Sequence, residues 1–85
     1  MPELLLTSRF RKRLSALDPK ARARILAALE KLREDAGAGK KLTGNLSGLS
    51  SLRMGDYRII HEIRGDEILL LTVRHPRDVY RREDQ

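Results

Sequence analysis

Arginine is concentrated in the C-terminal half of this sequence, together with both histidines and both tyrosines. Arginine stays charged at any relevant pH, and its planar guanidinium matches the oxygen atoms of a phosphate group. RNA cleavage by attack of its own 2′-hydroxyl needs positioning, stabilisation of the negatively charged phosphorane and help with two proton transfers. Arginines, a tyrosine and a histidine can meet these needs, although solvated charges on an ordinary hairpin are the simpler alternative. The arginines are Arg53, Arg58, Arg64, Arg74, Arg77, Arg81 and Arg82.

Other kinds of active site have little support in the sequence. His61 and His75 lack the HxxH or HExxH spacing of zinc ligands. The chain has no cysteine, which excludes disulfides and thiolate metal sites. It also lacks the GxSxG motif of serine hydrolases, and residues 37–48 lack the GxxxxGK[ST] spacing of a P-loop. We therefore expect no metal and no cofactor.

Size and charge restrict the class of partner. The chain has 85 residues, which predicts a single domain over residues 1–85 with a modest core and marginal stability. Its net charge of +6 favours an anionic partner, which would be a nucleic acid or an acidic protein. A basic surface without a specific ligand is the alternative. No apolar run is long enough for a membrane span or a signal peptide, so we expect a cytoplasmic protein without a membrane partner.

Two helices are predicted in the N-terminal half, after a short apolar strand at residues 4–6. The first helix begins near residue 9, with Thr7 or Ser8 as its N-cap, and shows helical spacing of apolar residues up to Leu17. Asp18 and Pro19 are a typical N-cap and first helical residue, and the second helix is expected over residues 19–35. The two segments together predict a helical hairpin.

Three strands are predicted in the C-terminal half, at residues 49–54, 57–63 and 68–73. The Gly-rich segment before them, residues 37–48, is interpreted as a surface linker, with a mobile basic loop as the alternative. The element order β-α-α-β-β-β predicts an α+β fold, with the helices packed on one face of an antiparallel sheet. Strand alternation places Arg58 and His61 on opposite faces, but it does not decide which face is exposed.

The segment "LSSLRMGDYRIIHEIRGDEILLLTVRHPRDVY" resembles the C-terminal half of the RelE/ParE toxin superfamily. The core "RMGDYRIIHEI" carries most of this resemblance, and the apolar strand and helical hairpin upstream also fit. The resemblance implies a RelE-like fold and a small toxin that is neutralised by a cognate antitoxin. It also implies one of two activities. RelE-like members cleave mRNA in the ribosomal A site without a metal, whereas ParE-like members poison DNA gyrase.

The resemblance also implies roles for individual residues. Arg58 matches the arginine that contacts the scissile phosphate in RelE-like enzymes, and Arg53 matches a basic position on the preceding strand. Tyr80 matches a terminal tyrosine that stacks on a base or takes part in proton transfer. His75 matches a histidine that some relatives use for general acid–base catalysis. We predict a catalytic set of five residues, Arg53, Arg58, Arg77, Tyr80 and His75.

The sequence departs from the family pattern at two positions. Ser51 stands where the RNase branch usually has lysine or arginine, and Pro76 stands where an arginine is expected. Arg77 could supply that charge only if the tail is shifted by one residue. His61 is interpreted as a structural histidine of a half-buried strand. Further RNA contacts are assigned to Lys40, Lys41, Arg74 and Arg81.

The resemblance implies a type II toxin that acts as a ribosome-dependent mRNA endonuclease. A ParE-like gyrase inhibitor and a catalytically weakened relative that only binds its antitoxin are the alternatives. The expected partners are the ribosome with its mRNA, and a cognate acidic antitoxin in a hetero-oligomeric complex.

Overall fold

A computed structural model describes residues 2–76 of the chain and confirms the α+β prediction. Three predicted site residues, Arg77, Tyr80 and Arg81, lie outside the described residues. Two short 3-10 turns, Ala36–Ala38 and Gly44–Leu46, lie between the second helix and the third strand. The helices and strands are β1 (Glu3–Leu6), α1 (Ser8–Ala16), α2 (Pro19–Glu34), β2 (Lys40–Lys41), β3 (Ser50–Met54), β4 (Tyr57–Arg64) and β5 (Glu67–Arg74).

Both helices begin at side-chain caps. The Thr7 hydroxyl accepts a hydrogen bond from the backbone N–H of Phe10 at 3.1 Å, and it donates to the Leu70 carbonyl at 2.8 Å. The Asp18 carboxylate accepts from the N–H of Ala21 at 2.8 Å, with Pro19 as the first helical residue. These caps satisfy amide groups that the helix leaves without partners. Thr7 additionally ties the start of α1 to strand β5.

The sheet has five strands in the order β1-β5-β4-β3-β2. Strands β3, β4 and β5 are antiparallel neighbours, as predicted. Strand β2 pairs with β3 in antiparallel orientation, and β1 pairs with β5 in parallel. The segment interpreted as a linker contributes the edge strand β2, of which Lys40 pairs with Ser51. The predicted element order therefore holds, with one short strand added.

The helices cover one face of the sheet and form the core with it. Phe10 and Ile25 of the helices are fully buried against Ile59 and Leu70 of the central strands. No helix among residues 2–76 packs on the opposite face, which we call the open face. No helix in this part of the chain has the length and apolarity to cross a membrane.

A β-bulge in β5 determines which of its side chains reach the open face. Ile60 pairs with Thr72 and His61 pairs with Leu70, so Leu71 is an extra residue in β5. The extra residue shifts the alternation, so that Leu70 and Val73 are both buried although they are three residues apart. Arg74 is consequently exposed on the open face.

Candidate functional site

Three arginines form one cross-strand row on the open face. Arg58 in β4 is the register partner of Arg53 in β3 and of Arg74 in β5. All three are exposed, whereas the preceding or following residue in each strand is buried in the core. We call Arg53, Arg58 and Arg74 the arginine row. The structure therefore brings two predicted catalytic residues together with Arg74, which had been assigned only to RNA binding.

The arginine row concentrates positive charge without neutralising it. Directly opposed residues of antiparallel strands have Cα atoms only about 4.5–5.5 Å apart, and like charges there are destabilising. Within residues 2–76, none of the three guanidinium groups makes an ion pair with a carboxylate. Arg53 donates from Nε to the Gly55 carbonyl at 3.1 Å, which orients its guanidinium along the β3–β4 turn. This arrangement suits a bound anion, which would relieve the mutual repulsion.

A cleft of about 300 Å³ opens beside the arginine row. The β3–β4 turn contributes Asp56, an acidic residue that no motif in the sequence indicates. The turn is tight because Gly55 adopts a φ of 57°, which favours glycine. The lining residues are Arg53, Gly55, Asp56, Arg58, Arg74, His75 and Pro76.

His75 brings an imidazole to the cleft directly after β5. It is partly buried, and its ring centroid lies 4.8 Å from that of Tyr57, with the two planes tilted by 55°. Tyr57 also packs against the core, so that one aromatic residue links His75 to the interior. The antiparallel register of β4 and β5 would have predicted this pair, since Arg58 and Arg74 are opposed one residue further in.

Lys40 and Lys41, which were both predicted to bind RNA, lie on opposite faces of the sheet. Lys40 pairs with Ser51, which is two residues from Arg53 and therefore shares its face. Lys41 pairs with the buried Ser50, so its position has the opposite parity. Only Lys40 lies on the face of the arginine row. It is placed beside Ser51, the position that lacks the expected basic side chain.

His61 lies in the core and away from the cleft. Its side chain is fully buried, with Nδ1 3.1 Å from the Ile59 carbonyl oxygen. Burial lowers the pKa of His61 from its ordinary value of 6.5, and the hydrogen bond to Ile59 opposes this shift in part. Its Nε2 atom has no hydrogen-bond partner. The structure thus gives His61 the placement of a structural residue.

Pro76 lines the cleft at the position where an arginine was expected. The cations in the described part of the lining are therefore those of the arginine row. Over residues 2–76, no three side chains of the metal-binding types come close enough to hold a metal ion.

The sequence of this chain is similar to those of known toxins. The sequence profile of the ParE toxin family, described as the ParE toxin of the type II toxin–antitoxin system parDE, matches residues 4–80. Toxin RelG of Mycobacterium tuberculosis is 36% identical over 84 residues, which span 89% of this chain and 92% of that protein.

Solved structures show the same fold. A chain of the toxin–antitoxin complex RelBE2 from Mycobacterium tuberculosis superposes with a TM-score of 0.78 and 31% identity, over 87% of this chain and 90% of that one. A chain of the RelB–RelE antitoxin–toxin complex from Methanococcus jannaschii gives a TM-score of 0.74 and 26% identity, over 92% and 96% of the two chains.

Proposed function

Because this chain belongs to the RelE/ParE superfamily of toxins, we propose that it is a ribosome-dependent mRNA endonuclease that inhibits translation. The proposal places it in the cytoplasm, where translation takes place. The observation that carries the proposal is the arginine row, whose three guanidinium groups make no ion pair within residues 2–76 and lie beside a cleft that His75 also lines. This arrangement matches the needs of RNA cleavage by the 2′-hydroxyl better than those of any other reaction considered.

In this mechanism Arg58 contacts the scissile phosphate, with Arg53 and Arg74 on either side. The phosphate gains negative charge when the 2′-oxygen attacks it and the phosphorane forms. Fixed positive groups that already face this position stabilise the phosphorane more than the starting phosphate. The three guanidinium groups repel one another because they carry like charges on neighbouring strands. The negative charge that develops on the phosphorane reduces this repulsion.

Two protons must move during the reaction. One leaves the attacking 2′-hydroxyl, and the other reaches the departing 5′-oxygen. His75 is the titratable ring in the described lining of the cleft, and an imidazole is suited to either transfer near neutral pH. Tyr80 remains our second candidate for a proton or for stacking on a base, and Arg77 remains a candidate for phosphate binding.

The two departures from the family pattern have neighbours that can compensate for them. Lys40 lies on the adjacent strand in register with Ser51 and can provide the missing positive charge from β2. Arg74 lies two residues before Pro76 and joins the arginine row through the bulge in β5. Both observations favour an active enzyme over a catalytically weakened relative.

The proposal is tested by mapping mRNA 5′ ends in a reconstituted translation reaction. We expect the wild type to cut mRNA in phase with codons, and Arg58→Ala to be slower by about 100-fold or more, as for loss of a group that stabilises a transition state. Arg64→Ala is the matched control, because Arg64 is exposed on the same strand and paired with Glu62 at 3.1 Å, away from the cleft. Thermal unfolding of each variant establishes that it is folded.

Two results would reject the proposal. One is intact mRNA at toxin concentrations that stop growth. The other is cleavage that Arg58→Ala and Arg64→Ala reduce equally.

A ParE-like inhibitor of DNA gyrase is the second candidate, because the matching family profile is that of the ParE toxin. Under this alternative the arginine row would bind an anionic surface and would catalyse nothing. Accumulation of cleaved gyrase–DNA complexes together with intact mRNA would establish it.

We also propose an acidic antitoxin as the partner, in a hetero-oligomeric complex. The similar chains from Mycobacterium tuberculosis and Methanococcus jannaschii come from toxin–antitoxin complexes. The net charge of +6 and the exposed arginine row supply complementary charge for an acidic segment that covers the cleft.

A further inference from the structure

A fourth guanidinium group lies against the rim of the cleft and comes from helix α2. A Cβ atom added to Gly55 would lie 3.1 Å from Nη2 of Arg24, 3.8 Å from its Cζ and 3.9 Å from its Nη1. The guanidinium of Arg24 therefore packs over Gly55. The lack of a side chain at this residue is what allows such a close approach.

Two arginines thus converge on one residue of the β3–β4 turn. Arg53 donates to the carbonyl of Gly55, while Arg24 covers its Cα. Arg24 is exposed and makes no ion pair within residues 2–76. Other arginines of α2 are engaged differently: Arg22 donates to carbonyl oxygens at the end of α1, and Arg33 pairs with Glu30 at 3.6 Å. Arg24 is consequently an exposed cation beside the cleft that has no carboxylate partner among residues 2–76.

We propose that Arg24 is a phosphate-binding residue that extends the site from the sheet onto helix α2. It takes a phosphate of single-stranded RNA adjacent to the one that lies on the arginine row. The inference rests on the proposed function, which puts the scissile phosphate at Arg58. The cations then form a path from Arg74 through Arg58 and Arg53 to Arg24, along which an RNA backbone can run.

The position of this path favours RNA over an acidic peptide. An extended peptide binds best where a strand edge offers free backbone groups. The path of arginines runs across β3, β4 and β5, from one register partner to the next, and does not follow the edge of a strand. A chain that presents one phosphate per nucleotide needs no such edge, and each guanidinium can receive a phosphate as a bidentate ligand.

The test is the salt dependence of binding to a short single-stranded RNA carrying 2′-O-methyl groups, which prevent cleavage. Fluorescence anisotropy over a range of KCl concentrations gives the slope of log K against log salt. Each phosphate contact contributes about 0.7 to this slope for a single strand. We expect Arg24→Ala to lower the slope by about 0.7 and to weaken binding roughly fivefold at 0.1 M KCl, while Arg24→Lys retains most of the slope.

Arg33→Ala is the matched control, because Arg33 is a partly exposed arginine of the same helix whose charge is paired with Glu30. An Arg24→Ala slope equal to that of the wild type, or lowered no more than in Arg33→Ala, would overturn the inference. So would a wild type that binds no RNA at 20 mM KCl, or an Arg24→Ala variant that loses affinity for an acidic peptide alone. These outcomes leave the proposed function standing, since codon-phased cleavage and its loss in Arg58→Ala decide it separately.

Discussion

Arg58 lies at the centre of the arginine row because it has an arginine on each side in the register of the sheet. A strand normally avoids like charges at directly opposed positions, since such contacts are destabilising. Within residues 2–76, no carboxylate forms an ion pair with this row. Such a local cost is expected where residues serve binding more than folding.

His61 illustrates the opposite case, a titratable residue that serves the core. Its Nδ1 lies within hydrogen-bond distance of the Ile59 carbonyl, so the imidazole donates from Nδ1 and leaves Nε2 unprotonated. The unprotonated Nε2 is fully buried and has no partner. Protonation would therefore place a charged N–H in the core without an acceptor.

We predict that His61 makes the protein less stable in mild acid. Burial lowers the pKa of His61 in the folded state below 6.5, so the unfolded chain takes up a proton first as the pH falls. The free energy of unfolding should therefore decrease from about pH 6.5 down to the lowered pKa of the folded state, by at most about 1.4 kcal/mol per pH unit. Urea unfolding of the wild type and of His61→Phe at several pH values measures the effect.

The His61→Phe variant should lose less stability than the wild type over this interval, because phenylalanine does not titrate. The carboxylates and His75 are common to both proteins and cancel in the comparison. An identical pH slope in the two proteins would show that His61 carries no part of the acid sensitivity.

At the scale of elements, the segment between α2 and β3 is packed and is not a simple linker. Its edge strand β2 brings Lys40 to the face of the arginine row. Two glycines, one within the 3-10 turn Ala36–Ala38 and one directly after it, have different surroundings. A Cβ on Gly39 would lie 2.8 Å from Cε1 of His61 and 3.2 Å from the Ser51 carbonyl oxygen, whereas a Cβ on Gly37 would meet only Oδ1 of Asp35, at 3.5 Å.

Gly39→Ala should therefore destabilise the fold by about 1–3 kcal/mol, which is typical of an extra methyl group in a packed core. The cause is steric, because Gly39 has a φ of −82° that any residue can adopt. Gly37→Ala is the control and should change the free energy of unfolding by less than about 0.5 kcal/mol. Chemical denaturation measures both, and equal losses in the two variants would contradict tight packing of Gly39 on His61.

The bulge at Leu71 shows how one element determines the site. Without the extra residue, Val73 would point away from the core and Arg74 would point into it. The bulge allows both to occupy suitable environments and places Arg74 beside Arg58.

At the scale of the whole molecule, a net charge of +6 on 85 residues dominates the behaviour toward partners. Such a charge steers acidic partners and destabilises the compact state through self-repulsion. A small domain with a modest core has a small free energy of unfolding. Binding of an acidic antitoxin should thus both inhibit the toxin and stabilise it.

We predict that the antitoxin raises the free energy of unfolding by about 2.7 kcal/mol when its free concentration is 100 times its Kd. For a domain of this size the melting temperature should rise by roughly 10–20 °C. Differential scanning calorimetry with increasing antitoxin measures the shift. Polyglutamate of equal charge is the control and should give a much smaller shift that disappears at high salt. A comparable shift with polyglutamate would show that charge alone, and no specific docking, accounts for the stabilisation.

Much of the fold could be predicted from local patterns. The caps at Thr7 and Asp18, the helical spacing after them and the alternation of β4 are local properties, and the structure agrees with them. The family resemblance correctly indicated a RelE/ParE toxin, and it singled out Arg53 and Arg58. The roles of these residues, and those of Arg77, Tyr80 and Arg81, remain predictions.

Composition and short-range spacing therefore predict the elements and the excess of positive charge, and the resemblance of residues 49–80 indicates the family. Which charges lie next to one another follows from the three-dimensional fold alone. Arg74 joins the row through a bulge, Lys40 through the register of an edge strand, and Arg24 through packing of α2 on the β3–β4 turn. Such neighbours are set by strand register and helix packing, which depend on contacts between residues far apart in the chain.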